Sequence, residues 1–233
     1  MICSNLKKIQ NEINEVCRLT GREESSVKLL AVSKTVEVER IKEAVDCGHL
    51  VFGENYIQEA KDKIPALVAA YPDQHLEFHF IGHLQRNKAK EAVALFDFIH
   101  TVDKIELAKE IGKQAAKISK RQKILLQINI SGEESKSGVN PDDIATLLEE
   151  ILADENLEVV GLMCIGSFFS EEEAEDVRAS EFKKMSLIKS QLEAKYKVRL
   201  EHLSMGMSHD FPLAIKEGST MVRVGTAIFG ARN

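Results

Sequence analysis

A lysine ends the first strongly apolar segment of the chain. Residues 29–35 read LLAVSKT, the composition of a strand buried on both faces in a parallel sheet, and Lys34 stands at its carboxyl end. Proteins built from alternating strands and helices bind their ligands at that end of the strands. A lysine whose pKa is lowered by desolvation and a neighbouring cation can form a Schiff base with a carbonyl compound. The alternative is a lysine that marks where the strand reaches solvent.

Polar residues recur at alternate positions in several other apolar segments. Alternate strand residues point to the same side, so these polar residues would share an inward face with apolar neighbours. The residues expected to converge with Lys34 at one end of the sheet are His79, Asn129, Ser204 and Arg223, with Gln127 and His202 on the same faces. A buried arginine needs a partner, because an unpaired buried charge is too costly to keep. The set predicts a ligand site, and the alternative is an internal hydrogen-bond network that stabilises the fold.

Two glycine-containing loops near the end of the chain indicate a phosphate site. One is Met205-Gly206-Met207-Ser208, and the other runs from Gly225 and Thr226 to residue 230. Glycine lets backbone N–H groups approach an anion, and Ser and Thr hydroxyls add donors. The alternative is ordinary turn glycines. No GxxxxGK[ST] motif occurs, so a nucleotide P-loop is not expected.

A lysine that faces a phosphate site predicts a phosphorylated carbonyl compound. Pyridoxal 5′-phosphate (PLP) meets that description, and a phosphosugar also does. An arginine such as Arg223 facing the pyridine nitrogen of PLP would keep that nitrogen unprotonated and weaken the ring as an electron sink. Such a site would favour binding, or limited proton chemistry, over extensive carbanion chemistry.

Strands and helices are predicted to alternate along the chain, after an amphipathic helix at residues 4–19. The predicted strands cover 29–34, 51–55, 77–81, 98–102, 123–130, 158–165, 200–205 and 221–224, and a long helix is expected from about 170 to 195. Eight such units predict an α/β fold of the (β/α)8, or TIM, barrel type. A doubly wound open sheet is the alternative, and it would show a glycine-rich first turn that Ser33-Lys34-Thr35 does not provide. We therefore expect one domain over residues 1–233, with residues 1–25 packed on the barrel.

Composition and charge narrow the class of protein. The net charge of -6 and the 44% hydrophobic content favour a globular protein and argue against nucleic-acid or membrane partners. The four cysteines are far apart in sequence, so we expect reduced thiols and neither a disulfide framework nor a metal site. Neither a signal-peptide pattern nor a run of membrane-spanning length is seen, so the expected location is the cytoplasm.

Several motifs, in order over nearly the whole chain, resemble the pyridoxal phosphate homeostasis protein family. They are AVSKT at 31–35, FGENY at 52–56, HFIGHLQRNK at 79–88, INISGEESKSG at 128–138, GLMCIG at 161–166, HLSMGMSHD at 202–210 and GSTMVRVGTAIFGAR at 218–232. The family is a single barrel similar to the amino-terminal domain of alanine racemase. The resemblance implies that PLP forms a Schiff base with Lys34 and that Arg223 faces its pyridine nitrogen. It also implies phosphate contacts from Ser208, Gly225 and Thr226, with Ser204 and Met207 nearby, ring or O3′ contacts from Asn55 and His79, and Ile165 against a ring face.

Departures from the family pattern concern one loop. The family commonly has proline and serine where this chain has His83 and Arg86, while Asn87 and Lys88 are as expected. Lys136 lies in a matched loop and is interpreted as a solvated lysine, with a secondary PLP contact as the alternative.

The resemblance implies a binding role in vitamin B6 and amino-acid homeostasis without efficient turnover. In alanine racemase the second catalytic base comes from a further domain, whereas the sequence here ends at Asn233, soon after the eighth predicted strand. The alternative is a weak PLP-dependent racemase, or a related enzyme, that uses Lys34 as its only base. PLP-dependent apoenzymes are candidate recipients, and a monomer or weak dimer is expected.

Overall fold

The strands close into one barrel in a computed structural model that describes residues 1–133, 136–167 and 173–230. Eight parallel strands are hydrogen-bonded in sequence order, and the last strand pairs with the first. They are β1 (Lys28–Val32), β2 (Val51–Glu54), β3 (Glu77–Phe80), β4 (Phe98–Val102), β5 (Gln122–Ile128), β6 (Leu157–Cys164), β7 (His202–Met207) and β8 (Met221–Val224). The predicted (β/α)8 barrel is therefore confirmed.

Helices follow the strands and surround the barrel. They are α1 (Ile2–Leu19), α2 (Val38–Asp46), α3 (Ile57–Ala70), α4 (Ala89–Leu95), α5 (Ile105–Lys117), α6 (Ile144–Ile151), α7 (Glu173–Tyr196), α8 (Phe211–Lys216) and α9 (Thr226–Phe229). The predicted start of the long helix at residues 170–172 lies outside the described residues. Over the described ranges, a helix combining the length and apolar character needed to cross a bilayer is not found.

Two apolar layers explain why the strand sequences are apolar on both faces. The outward residues pack against the helices in one large core. The inward residues form a second cluster inside the barrel, made of Leu30, Val32, Ile81, Phe98, Leu125, Val160, Met163 and Met221. This inner cluster has the alternation expected from the sequence, so the polar inward residues lie among apolar neighbours.

Helix α1 packs on the barrel as the sequence predicts. Its apolar stripe, including Leu6, Ile9 and Ile13, is buried. The side chain of Asn5 donates a 2.9 Å hydrogen bond to the carbonyl oxygen of Ile228 in α9. The helix therefore covers the outer surface of the last barrel unit.

One expectation about the cysteines is wrong. Cys3 in α1 and Cys47, which follows α2, form a disulfide with their Cα atoms 5.4 Å apart. The two residues are 44 positions apart in sequence, and only the packing of α1 beside α2 brings them together. Cys17 and Cys164 are buried free thiols, in agreement with the sequence reading.

Candidate functional site

A cavity of about 470 Å³ opens at the carboxyl ends of the strands. Its wall combines apolar side chains from inside the barrel with polar groups from the loops above them. The lining residues are Val32, Lys34, Asn55, Ile81, Met163, Ile165, Met207, Ser208, His209, Arg223, Gly225 and Thr226. Its size and mixed lining are typical of small-molecule sites.

The predicted residues fall into two groups. Eight of the ten proposed cofactor contacts line the cavity: Lys34, Asn55, Ile165, Met207, Ser208, Arg223, Gly225 and Thr226. His79 and Ser204 are instead fully buried inside the barrel and are absent from the cavity wall. His209 also lines the cavity and was not predicted, although it directly follows Ser208 in the loop after β7.

Lys34 lies on a strained turn directly after β1. The next residue, Thr35, has a φ of 60°, a conformation that is unfavourable for a β-branched side chain. Ser33 donates to Glu54 Oε1 at 2.7 Å, and the backbone N–H of Thr35 donates to Glu59 Oε2 at 2.8 Å. Lys63 also donates to the carbonyl oxygen of Ser33 at 2.9 Å. These bonds hold the backbone on both sides of Lys34 in place.

Charged groups of α3 complete this turn. Lys63 lies 2.8 Å from Glu59 and 3.5 Å from the buried Glu54. Burial raises the pKa of Glu54, and the nearby Lys63 and Ser33 offset that effect only in part. Burial acts in the same direction on Glu59, but hydrogen bonds from Lys63 and the Thr35 N–H leave its pKa below the ordinary value. Glu59 therefore stays ionised at neutral pH and accepts the hydrogen bond from the turn.

Asn55 presents a polar atom that the described residues leave unsatisfied. Its Oδ1 is buried and has no hydrogen-bond partner among them. Gly82 passes so close to the backbone of Asn55 that a Cβ there would overlap the Asn55 carbonyl oxygen, so glycine is required. A buried acceptor held in this way is suited to a donor group of a ligand.

The guanidinium of Arg223 donates hydrogen bonds to two uncharged partners. Its Nη1 donates to Ser204 Oγ at 2.6 Å and its Nη2 to the carbonyl oxygen of Cys164 at 2.8 Å. Burial lowers the pKa of Arg223, but an arginine remains charged in proteins. Burial also raises the pKa of Cys164 to about 12, so that thiol stays neutral beside the cation. The arginine is therefore a positively charged donor at the cavity wall.

The loop after β7 differs from the predicted one. The strand is predicted over 200–205 and is observed over His202–Met207. Ahead of its start, the backbone N–H of Leu200 donates to Glu193 Oε1 of α7 and therefore does not join the ladder. An irregularity between Ser204 and Met207 changes the register against β8. Gly206 has a φ of 92°, and a Cβ there would lie 2.6 Å from Ala214 Cβ, so only glycine is compatible with this bend. The bend brings Met207 and Ser208 to the cavity.

Two predictions about the loop after β5 are wrong. Asn129 does not reach the cavity wall, because its amide donates to the carbonyl oxygens of Glu133 and Lys136 at 2.8 and 3.3 Å. Lys136 is not a solvated lysine, since its side chain is 15% exposed. Its Nζ lies 2.6 Å from Glu133 Oε1 and 3.1 Å from the carbonyl oxygen of Gly166.

His100 is a polar inward residue that the sequence reading omitted. It shares a face of β4 with Phe98, so the alternation used for the other strands would have found it. Its Nε2 lies 2.8 Å from His79 Nδ1, and its Nδ1 lies 3.0 Å from Ser204 Oγ. His100 therefore connects His79 to the serine that accepts from Arg223.

Comparisons with known proteins show which sequences and folds are similar to this chain. The family model described as "Alanine racemase, N-terminal domain" matches residues 4–233. The pyridoxal phosphate homeostasis protein of Aquifex aeolicus is 44% identical over 230 residues, which cover 99% of this chain and 98% of that protein. The structure of PipY from Synechococcus elongatus with PLP bound superposes with a TM-score of 0.84 at 33% identity, covering 99% of this chain and 100% of that one. Alanine racemase from Corynebacterium glutamicum shares the fold, with 16% identity and a TM-score of 0.66. The match covers 97% of this chain and 62% of that one.

Proposed function

Since this chain belongs to the pyridoxal phosphate homeostasis protein family, we propose that it binds PLP in the cavity at the carboxyl end of the barrel. The observation that carries the proposal is the presence of Lys34, Arg223, Ser208 and Thr226 in the wall of one cavity. This arrangement joins an amine, a cationic donor and two hydroxyl groups around an apolar interior. Each has a complementary group on PLP.

Lys34 is proposed to hold the ligand covalently. Its Nζ is the amine that would hold the aldehyde carbon of PLP as a Schiff base, with water as the other product. The turn around Thr35 aims this side chain from a fixed backbone, because Glu54, Glu59 and Lys63 hold it on both sides. Bound PLP supplies an electron-withdrawing ring to the site.

The other cavity residues are proposed to orient the ligand. Ser208, Gly225 and Thr226 would receive the phosphate, with Met207 beside it, and Ile165 would pack against one ring face. Asn55 would offer its unsatisfied Oδ1 to a donor of the ligand. Arg223 can only donate, so the pyridine nitrogen that faces it would be an acceptor and stay unprotonated. His79 and Ser204 would act from beneath the cavity.

The proposed role is carriage and homeostasis of PLP without efficient turnover. An unprotonated pyridine nitrogen limits carbanion chemistry. Among the described residues that line the cavity, none is a tyrosine that could serve as a second base opposite Lys34. We propose that residues 1–233 act as one such domain, that the protein is a monomer or weak dimer, and that PLP-dependent apoenzymes receive the ligand.

The expected location, the cytoplasm, is kept as part of the proposal. The Cys3–Cys47 disulfide is more typical of oxidising compartments, where such bonds persist. Trapping the thiols with an alkylating agent in intact cells would test the location. Two free thiols and one disulfide would argue against a reducing compartment, and four free thiols would agree with it.

A titration with PLP tests the proposed function. We expect the wild-type protein to develop an absorbance band near the visible range in proportion to the protein present. Lys34→Ala should fold and lose this band, because the variant lacks the amine that would bond to PLP. Lys61→Ala, at an exposed lysine of α3, is the matched control and should titrate like the wild type. A wild-type protein that takes up no PLP would refute the proposal, and a phosphosugar ligand would then be tested.

Proton exchange distinguishes carriage from weak racemase activity. Amino acids are incubated in deuterated water with the PLP-loaded protein, and deuterium at the α-carbon is followed by mass spectrometry. Carriage predicts no exchange above free PLP. Exchange that disappears in Lys34→Ala would instead establish the enzyme.

A further inference from the structure

Polar side chains cross the apolar interior of the barrel in a continuous line. From the cavity downward, Arg223 Nη1 lies 2.6 Å from Ser204 Oγ, and Ser204 Oγ lies 3.0 Å from His100 Nδ1. His100 Nε2 lies 2.8 Å from His79 Nδ1, and His79 Nε2 lies 2.6 Å from Glu77 Oε1. The same carboxylate oxygen accepts from Lys28 Nζ at 2.6 Å. The line therefore joins the cavity to the amino end of the strands.

The two ends of this line determine where its hydrogens lie. Arginine has donors only, so Ser204 Oγ accepts from Arg223. Glu77 pairs with Lys28 at the other end. Burial raises the pKa of Glu77, but hydrogen bonds from His79 and Lys28 outweigh it and lower the pKa to about 2. An ionised carboxylate has acceptors only, so Nε2 of His79 must carry a hydrogen and donate to Glu77.

When both imidazoles are neutral, the two ends of the line also determine which nitrogen of each ring carries a hydrogen. A neutral His79 that donates through Nε2 must accept through Nδ1, so His100 donates through its Nε2. His100 then accepts through Nδ1, and the Ser204 hydroxyl donates to it. Burial lowers the pKa of His79 and holds that of His100 well below its ordinary value, which agrees with two neutral rings.

Packing fixes the rings in this arrangement. The ring of His79 stacks on Phe98 with centroids 4.4 Å apart and an angle of 7° between their planes. His79, His100 and Ser204 are fully buried, so water does not compete for these hydrogen bonds. Each ring therefore has one orientation and one set of partners.

We infer that Ser204, His100 and His79 form a one-way hydrogen-bond chain from Arg223 to the carboxylate of Glu77, with both histidines as neutral Nε2–H tautomers, and that this chain positions Arg223 at the cavity. The three are positioning residues, since they act through Arg223. The part of the inference that concerns ligand affinity rests on the proposed function, whereas the tautomers do not.

Nitrogen-15 NMR of histidine-labelled, ligand-free protein tests the chain directly. The signals of the two rings are assigned by their loss in His79→Gln and His100→Gln. We expect both rings to show a protonated Nε2 and an unprotonated Nδ1 at pH 6 and at pH 8. A protonated Nδ1 on either ring, as a neutral tautomer or as an imidazolium, would overturn the chain.

Ser204→Ala tests whether the chain positions Arg223. The variant removes the hydroxyl that both accepts from Arg223 and donates to His100, so the Nδ1 signal of His100 should shift while His79 keeps its tautomer. PLP should bind about tenfold more weakly, the effect of losing one buried hydrogen bond to a charged group. Ser190→Ala, at an exposed serine of α7, is the matched control for both readouts.

Two results would count against the positioning role. Wild-type affinity in Ser204→Ala would show that Arg223 does not depend on the chain, and an unchanged His100 signal would show that the hydroxyl does not donate to it. If the wild-type protein itself takes up no PLP, the proposed function fails, while the tautomers of the ligand-free protein still decide the chain.

Discussion

Thr35 is held in a conformation that its own side chain disfavours. Its φ of 60° is maintained by hydrogen bonds that Ser33 Oγ donates to Glu54 of β2 and that the Thr35 N–H donates to Glu59 of α3. Thr35 directly follows the lysine that would bond the ligand. Local backbone strain of this kind is common at functional sites, where the surrounding structure maintains it. The strain here is the cost of aiming Lys34 into the cavity.

Thr35→Gly should therefore stabilise the ligand-free protein. Glycine adopts positive φ freely, so removing the strain should raise the free energy of unfolding by about 1 kcal/mol. Chemical denaturation measures the change. Thr146→Gly, at an exposed position inside α6, is the comparison and should lower the free energy by roughly 0.5 kcal/mol. Destabilisation by Thr35→Gly would show that the threonine side chain contributes more than its backbone strain costs.

Asn55 allows a second prediction about a single residue. Its Oδ1 has no partner among the described residues, so Asn55→Ala should leave the free energy of unfolding of the ligand-free protein unchanged or higher. The same variant should bind PLP more weakly, because the acceptor proposed for the ligand is gone. Denaturation and PLP titration measure the two effects. A large loss of stability would indicate a structural asparagine.

At the scale of the elements, the strands were predictable and their connections were not. Alternation of inward residues predicted the faces of β1, β3, β5, β7 and β8, because an apolar barrel interior requires a period of two. The later start of β7 was not predictable, since it involves a hydrogen bond from the Leu200 N–H to the Glu193 side chain of α7. The turn at Thr35 likewise depends on side chains of α3 that approach it only in the fold.

The disulfide was not predicted for the same reason, since it depends on a contact that arises only in the folded structure. Cys3 and Cys47 are close because α1 lies beside α2, which the spacing of cysteines in the sequence does not reveal. His100, by contrast, could have been predicted, because it alternates with Phe98 on the inward face of β4. His209 could also have been predicted from its place next to Ser208.

Reduction of the disulfide should destabilise the protein. The bond closes a loop between residues 44 positions apart, so the chain-entropy model gives a loss of roughly 4 kcal/mol in the free energy of unfolding. Denaturation with and without reductant measures the effect. The double variant Cys3→Ser, Cys47→Ser should be insensitive to reductant. Four reactive thiols in the denatured, non-reduced wild type would contradict the disulfide.

At the scale of the whole molecule, the barrel interior holds several groups whose charge state depends on the fold. Burial and then the nearby Lys28 lower the pKa of His202 to about 4, and burial also lowers those of His79 and His100. Neutral rings are favoured in the folded protein, whereas the unfolded chain binds protons near pH 6.5. These groups stabilise the fold above about pH 6.5 and oppose it as the pH falls.

Acid should therefore unfold the protein in two overlapping ranges. Stability falls from about pH 6.5 downward as the unfolded chain protonates its histidines, and it falls further below the ordinary pKa of 4.5 for Glu77, towards the folded value of about 2. Glu77→Gln should remove the contribution of Glu77 to the second part, about 2 kcal/mol after allowance for solvent screening. Denaturation at a series of pH values measures both, and Glu150→Gln at an exposed site of α6 is the control. Stability that is constant between pH 7 and pH 3 would contradict the assignment of these charge states.

The proposed function requires that one lysine of the barrel holds PLP covalently. The most direct test is to record the visible spectrum of the purified protein with PLP, reduce it with borohydride, and locate the modified residue by peptide mass spectrometry. We predict a yellow protein whose band is lost on reduction and whose stable adduct maps to Lys34. An adduct on a different lysine, or a colourless protein that takes up no PLP, would contradict the claim.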